Sequence, residues 1–214
     1  MKINKYTLGG IAVALVAAFL ILSNRYRQEE ETQAVTTAAE ETDRLVRAHS
    51  PTLGPASAPV TIVEFLDPEC EACRAMYPIV KRVLQEFDGR VRLVVRYSTF
   101  HRNSAYAAGL LEGARAQNKY WELMDVFFAR PPEWASHDAP KPELLMDYAR
   151  ALGLNAEQLG STATQAEVQQ RLSQDAEDGR ALGVARTPTF FVNGRPLPQI
   201  GYEPLRAAVA AALP

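Results

Sequence analysis

Residues 60–78 read VTIVEFLDPECEACRAMYP, and the predicted fold depends on this stretch. An apolar, β-branched run ends at Asp67-Pro68, two cysteines follow with C-x-x-C spacing, and a helical pattern begins at Cys73. This pattern predicts a strand that leads a dithiol to the N-terminus of a helix. Because unpaired N–H groups and the positive dipole end of a helix stabilise an anion, we expect the Cys70 thiol to ionise easily.

The C-x-x-C pair is compatible with more than one kind of site. Zinc requires four ligands, and the chain adds no other cysteine and only His49, His101 and His137, so we predict no zinc site. A structural disulfide would close a very short loop and would stabilise the protein little. Two thiolates suffice for Cu(I), which leaves copper binding or delivery as an alternative to thiol-disulfide chemistry.

Composition limits the classes of function. The chain has 214 residues, of which 47% are hydrophobic and 22% charged, enough for one domain with a real core. Its formal net charge is -2, so no strongly basic face is expected and nucleic acid is excluded as a partner.

The N-terminus carries an export signal. Residues 8–22 are uninterruptedly apolar or small and follow Lys2 and Lys5, a pattern typical of a signal peptide or a signal anchor. Residues 7–23 reach the lower limit of a membrane-spanning length and no small-x-small cleavage site follows, which favours the anchor. We therefore assign residues 1–24 to a signal anchor or signal peptide, and the polar residues 25–50 to a linker.

Beyond the dithiol, the pattern alternates between strands and helices. The helix that begins near Cys73 is predicted to end at Asp88-Gly89, and Val91–Tyr97 is predicted as a strand, which completes a βαβ unit. Residues 103–182 show helical patterns throughout.

The C-terminal part is predicted to contain a hairpin and a closing helix. Thr189–Val192 is predicted as a strand, Asn193-Gly194 as a type I′ turn, and Gln199-Ile200 as the end of the partner strand. Residues 203–211 are predicted as the last helix.

Three segments resemble one known family. Cys70-Glu71-Ala72-Cys73, with Pro78 downstream, resembles the active-site helix of thioredoxin, and residues 184–194 resemble the segment around the thioredoxin cis-proline. Residues 58–65 and the helical block are similar to the DsbA-like branch of thiol-disulfide oxidoreductases. The resemblance implies an α/β thioredoxin fold over residues 51–214, with a helical insertion at about 103–182.

The resemblance also implies the roles of individual residues. Cys70 would form the mixed disulfide with a client and Cys73 would resolve it, while Pro188 would be cis and Thr187 would present backbone polar groups to the client. Glu64 occupies the place where related proteins keep a buried acid beneath the dithiol, so it would accept a proton from Cys73. An outward-facing strand glutamate is the alternative for this position.

The implied activity is that of an exported, membrane-tethered oxidoreductase without a cofactor. Its partners would be cysteine-containing exported proteins and a membrane or periplasmic redox partner, on the periplasmic side of the bacterial inner membrane, or in the soluble periplasm if the segment is cleaved. Strongly oxidising members carry a His between the cysteines, whereas this chain has Glu71 and Ala72 there, with Asp67 and Glu69 just before. We therefore expect a couple less oxidising than in typical DsbA proteins. The chain also lacks the dimerisation domain of isomerase branches, so a monomer is expected.

Overall fold

The computed structural model describes residues 22–25, 28, 42–130 and 133–214. The chain divides into two units, Met1–Asp43 and Arg44–Pro214, and the sheet and helices described below belong to the second. The predicted signal segment and much of the predicted linker lie outside the described residues. Within the described residues, no helix is both long enough and apolar enough to cross a membrane.

The described residues contain one mixed sheet of five strands. In chain order the strands are β1 (Thr52–Leu53), β2 (Val60–Leu66), β3 (Val91–Tyr97), β4 (Thr189–Val192) and β5 (Arg195–Pro196). Their order in the sheet is β1-β3-β2-β4-β5, with β2 and β3 parallel and the other neighbouring pairs antiparallel. The central strands have the predicted bounds because an apolar run that is buried on both faces identifies a central strand.

The helix after β2, α1 (Glu71–Glu86), begins at Glu71 rather than at Cys73 as predicted. Cys70 is its N-cap residue, with extended backbone angles of φ -75° and ψ 125°, and the helix continues through Pro78. A parallel pair of strands requires such a crossover, so β2, α1 and β3 form the predicted βαβ unit. The buried face of α1 consists of Cys73, Met76, Tyr77, Val80 and Val83.

The segment between β3 and β4 is helical, as predicted. Its described residues form five helices: α2 (Ser104–Arg115), α3 (Tyr120–Ala129), α4 (Leu144–Ala151), α5 (Ala156–Ala163) and α6 (Ala166–Ala181). The last helix, α7 (Tyr202–Ala212), packs against α1 and against strands β2 and β4.

Side chains on the two faces of β2 enter two separate buried clusters. Ile62 and Leu66 join the large cluster with α1 and the helical segment, whereas Val63 and Phe65 join a smaller one. Because side chains alternate along a strand, Glu64 lies on the same face as Ile62 and Leu66. Glu64 is only 2% exposed, so the outward-facing alternative for this residue is wrong.

The turn between β4 and β5 has the predicted type. Asn193 and Gly194 both have positive φ angles, 45° and 80°, as a type I′ turn requires. The Asn193 side chain also joins the turn to the central strand, because its Oδ1 accepts a hydrogen bond from the Thr61 N–H at 2.8 Å.

The partner strand in this hairpin is shorter than predicted. It consists of Arg195–Pro196, so the prediction that it ends at Gln199 and Ile200 is wrong. The Leu197 N–H still donates a hydrogen bond to the Phe190 carbonyl at 2.8 Å. In this register Pro198 would face Thr189 at a position without interstrand hydrogen bonds. The next hydrogen-bonded pair would be Gln199 with Pro188, and Pro188 has no N–H to donate.

Candidate active site

Cys70, Cys73 and Thr187 meet at the C-terminal end of β2. Cys70 is 8% exposed at the start of α1, and Cys73 is fully buried within the first turn. The Cys70 thiol donates a hydrogen bond to the Thr187 carbonyl oxygen at 3.4 Å, and the Thr187-Pro188 peptide bond is cis. Two segments that are 117 positions apart in the chain therefore face each other at one sulfur atom.

The start of α1 favours the ionised form of Cys70. A side-chain hydrogen bond with Cys73 is the main cause that lowers the pKa of Cys70 to about 5, and partial burial opposes this shift. A side-chain hydrogen bond with Thr187 and the backbone N–H groups of Cys73 and Ala72 lower the pKa further. Cys70 is therefore a thiolate at neutral pH, which agrees with the expectation from the helix N-terminus.

The Cys73 thiol, in contrast, favours its protonated form. Burial raises the pKa of Cys73 well above its ordinary value, and the hydrogen bond with Cys70 and the nearby charge of Glu64 raise it further. The Asp67 N–H donates a hydrogen bond to the Cys73 Sγ at 3.4 Å, and this bond lowers the pKa of Cys73. The site thus places a thiolate beside a protonated thiol.

Glu64 lies among these groups as a buried acid. Burial raises the pKa of Glu64 to about 8, and the charge of Cys70 contributes to the shift. Within the described residues, its Oε2 has no hydrogen-bond partner. At neutral pH the carboxyl group therefore mostly keeps its proton.

Asp67 organises the loops around this site through several hydrogen bonds. The sequence had indicated only that it places a negative charge near Cys70. Its Oδ1 accepts hydrogen bonds from the Glu69 N–H at 2.8 Å and from the Ser104 hydroxyl. Its Oδ2 accepts hydrogen bonds from the N–H groups of Phe100 at 2.7 Å and His101 at 3.1 Å. This buried carboxylate fastens the loop that carries Cys70 to the loop after β3.

The other two acidic residues near Cys70 differ in their surroundings. Glu69 accepts hydrogen bonds from the Asn103 N–H at 2.6 Å and from the Asn103 side-chain amide at 3.0 Å. Glu71, the first residue of α1, is exposed. Hydrogen-bond donors from the next loop therefore compensate the charge of Glu69, whereas the charge of Glu71 faces solvent.

A narrow cleft opens beside Cys70. Phe127, Phe128 and Trp134 provide its apolar side chains, and Arg74 and Arg130 add two cations. Glu69 and Glu71 line the same cleft, so charges of both signs accompany its apolar side chains.

An ion that needs three or more ligands finds no such group in the part of the chain that the structure describes, whereas two thiolates alone would suffice for Cu(I). No group of three or more His, Cys, Asp or Glu residues there is placed to hold a metal ion. His49 contacts Asp175 at 2.7 Å and His101 contacts Asp67 at 2.8 Å. These two histidines are thus engaged with carboxylates that belong to different parts of the fold.

Comparisons with known sequences agree with this geometry. A family model described as Thioredoxin matches residues 47–211. The chain is 34% identical over 145 residues to an Na(+)/H(+) antiporter from Salinispora tropica, a match that covers 66% of this chain and 21% of the antiporter. It is 33% identical over 144 residues to another from Herminiimonas arsenicoxydans, covering 67% and 22%. The chain thus spans about a fifth of the length of these curated relatives.

Solved structures share the fold. A thioredoxin-like oxidoreductase from Silicibacter pomeroyi has a TM-score of 0.71 and 29% identity, covering 79% of this chain and 96% of that one. Oxidised BdbD from Bacillus subtilis has a TM-score of 0.68 and 23% identity, covering 76% and 92%. The thiol-disulfide exchange protein alpha-DsbA2 from Wolbachia pipientis has a TM-score of 0.70 and 18% identity, covering 86% and 97%. Neither these similarities nor the geometry of the site favours copper binding over thiol chemistry.

Proposed function

The chain belongs to the thioredoxin superfamily as a DsbA-like thiol-disulfide oxidoreductase, and on this premise we propose that it acts on cysteines of exported proteins through a Cys70/Cys73 dithiol-disulfide cycle. The observation that carries the proposal is the contrast between the two thiols. The pKa of Cys70 is lowered to about 5, whereas burial raises that of Cys73. A thiolate beside a protonated thiol is the arrangement that thiol-disulfide exchange uses.

In the reducing direction the cycle begins at the Cys70 thiolate. It attacks a client disulfide, forms a mixed disulfide and releases one client sulfur as a thiolate. Formation of the mixed disulfide removes the charge of Cys70, which had helped to raise the Glu64 pKa, so more of Glu64 is ionised at this stage. Cys73 then passes its proton to ionised Glu64 and attacks the Cys70 sulfur, which releases the second client thiolate. The client disulfide has gained two electrons, and Cys70 and Cys73 have become a disulfide.

In the oxidising direction the same groups act in reverse. A client thiolate attacks the Cys70 sulfur of the disulfide, and Cys73 leaves as a thiolate that takes a proton from Glu64. The second client thiolate then attacks the client sulfur of the mixed disulfide, and Cys70 leaves as a thiolate. A pKa of about 8 keeps Glu64 mostly protonated at neutral pH, so the proton that Cys73 needs is present.

We further propose that Thr187 and Pro188 line the edge where the client binds. The Thr187 carbonyl lies 3.4 Å from the Cys70 sulfur, so a chain joined to this sulfur passes beside it. Backbone polar groups at this position can pair with an extended client whatever its side chains.

The redox potential is proposed to be intermediate. A Cys70 pKa of about 5 lies between about 7 for thioredoxin and about 3.5 for DsbA. Stabilisation of the thiolate favours the reduced form and makes the disulfide more oxidising. The couple should therefore be less oxidising than in typical DsbA proteins, and equilibration of Cys70/Cys73 with glutathione measures this directly.

The place of action is proposed from the sequence. Residues 1–24 would anchor the chain in the inner membrane or act as a cleaved signal, and the residues between this segment and Arg44 would serve as a linker. The unit Arg44–Pro214, which starts before the predicted residue 51, would work as a monomer in the periplasm. A membrane or periplasmic redox partner would then reset the Cys70/Cys73 couple.

Trapping of mixed disulfides tests the assigned roles. Cys73→Ser should accumulate exported proteins bound through Cys70, because the resolving thiol is gone, whereas Cys70→Ser should trap none. Non-reducing electrophoresis after thiol alkylation reveals such adducts, and the variant with both substitutions is the control. Equal trapping by the two single variants would contradict the assignment.

A further inference from the structure

The loop after β3 places a histidine at the dithiol site. His101 Nδ1 lies 2.8 Å from Asp67 Oδ2, and the same oxygen accepts a hydrogen bond from the His101 N–H at 3.1 Å. Asp67 is fully buried, and its own N–H donates a hydrogen bond to the Cys73 sulfur at 3.4 Å. A single residue thus connects the imidazole ring to the dithiol.

The surroundings of this ring favour its charged form. The His101 side chain is 37% exposed, and its partial burial opposes the charge. The hydrogen bond and the negative charge of Asp67 outweigh this burial and raise the pKa of His101, and the charges of Cys70 and Glu69 raise it further. The charged forms of the His101 ring and of Cys70 therefore favour each other.

We propose that the protonated His101 ring, held by Asp67, is a cation that stabilises the Cys70 thiolate in addition to the hydrogen bonds of that sulfur. The inference rests on the proposed function, since it describes the same thiol. The dipeptide between the cysteines, Glu71-Ala72, supplies no cation. A histidine from a different loop takes this role, and Asp67 is the positioning residue that orients it.

Among the described residues, two arginines also place positive charge in the cleft beside Cys70. Arg74 and Arg130 line the cleft beside Cys70, and the Arg130 guanidinium stacks over the Tyr148 ring at 5.4 Å. His101 differs from both because a buried carboxylate fixes the position of its ring. A variant of Arg74 therefore shows whether an arginine of the cleft affects the Cys70 pKa as much as the fixed His101 ring does.

The charge pair exists only in the reduced protein. Oxidation converts the Cys70 thiolate into one half of a neutral disulfide, so the attraction to His101 is lost. The pair therefore favours the reduced form and makes the couple more oxidising. By reciprocity, His101 must also have a higher pKa in the reduced protein than in the oxidised protein.

Titration of the Cys70 thiolate by its ultraviolet absorbance tests the proposal. His101→Gln should raise the Cys70 pKa, because a nearby opposite charge is lost, and each unit of this rise is a tenfold change in the ionisation equilibrium. A tenfold change in the equilibrium constant corresponds to a couple more reducing by about 30 mV. His101→Lys, which keeps a cation, should retain most of the low pKa.

Two control variants show whether the effect is specific. His137→Gln makes the same substitution at another histidine and should leave the Cys70 pKa unchanged. Arg74→Gln should shift the Cys70 pKa less than His101→Gln does. An unchanged Cys70 pKa in His101→Gln, or a larger shift in Arg74→Gln, would overturn the proposal.

Nuclear magnetic resonance of the imidazole provides a readout that a purely structural role would not change. The His101 pKa should fall when the wild-type protein is oxidised, and the same value in both forms would refute the charge pair. If client trapping fails while this difference is present, the proposed function is wrong and the charge pair stands. If trapping succeeds and the difference is absent, only the charge pair is wrong.

Discussion

At the scale of single residues, the titration of Glu64 makes the free energy of unfolding depend on pH. Burial raises the Glu64 pKa from 4.5 to about 8, so the unfolded chain releases this proton at a lower pH than the folded one. The stability that the protonated carboxyl provides is complete below about pH 4.5 and is lost as the pH rises to about 8. Each pH unit in this window changes the free energy of unfolding by about 1.4 kcal/mol.

We therefore predict that the free energy of unfolding of the Glu64→Gln variant, relative to that of its parent, is higher at pH 8 than at pH 5. Both proteins should also carry Cys70→Ala and Cys73→Ala, because the lowered Cys70 pKa has the opposite effect on stability. The stability that the Cys70 thiolate provides is complete above about pH 9 and is lost as the pH falls to about 5. Urea unfolding at several pH values measures the effect. Parallel pH profiles for the Glu64→Gln variant and its parent would show that this carboxyl does not titrate as described.

At the scale of elements, two glycines allow α2 and α5 to pack closely. A Cβ atom at Gly113 would lie 2.8 Å from the Leu159 carbonyl oxygen, and one at Gly109 would lie 3.0 Å from the Ala163 carbonyl oxygen. Both obstacles are backbone atoms of α5, which cannot rotate away as a flexible side chain can. The absence of side chains at these two positions thus determines the separation of the helices.

We predict that Gly113→Ala destabilises the protein by about 1 to 3 kcal/mol, as expected for an overpacked helix contact. Gly160→Ala is the matched control in α5, because its Cβ would meet only the end of the Met146 side chain at 3.7 Å. That variant should gain up to about 1 kcal/mol from the better helix propensity of alanine. Thermal unfolding of both variants decides the matter, and a Gly113→Ala protein as stable as Gly160→Ala would contradict the close packing.

At the scale of the whole molecule, a buried charge cluster ties residues 44–50 to the domain. Arg96 is fully buried and donates hydrogen bonds to Asp175 at 2.9 Å and to Asp178 at 2.6 Å, both on α6. Arg47 reaches the same Asp178 at 2.9 Å. The unit that contains the sheet accordingly begins at Arg44, and the family match begins at residue 47.

The apolar run at residues 8–22 leads to a prediction for the complete chain. After export, the full-length protein should sediment with membranes and resist a high-salt wash, because a run of this length is anchored by the hydrophobic effect rather than by charge. Detergent should release it, and a chain without residues 1–24 behind a cleavable signal is the control. A soluble product that begins after about residue 23 would show that the run is a cleaved signal.

The sequence alone was enough to identify the elements whose causes are local. The apolar, β-branched run of β2, the helical period of α1 and the Asn193-Gly194 turn each depend on a few neighbouring residues, so their bounds or types were predicted well. The C-x-x-C spacing at the start of a helix likewise implied a low pKa for Cys70 before the site was visible, because the N-terminal N–H groups belong to the same helix.

The tertiary structure alone decided what depends on distant contacts. The raised pKa of Glu64 arises from burial by the whole core, and the hairpin ends early where Gln199 would face Pro188, which has no N–H to donate to the ladder. Asp67 and His101 are 34 positions apart, and no local pattern relates them. Their contact exists because β2 and β3 lie side by side, which brings the loops at their ends together beside the dithiol.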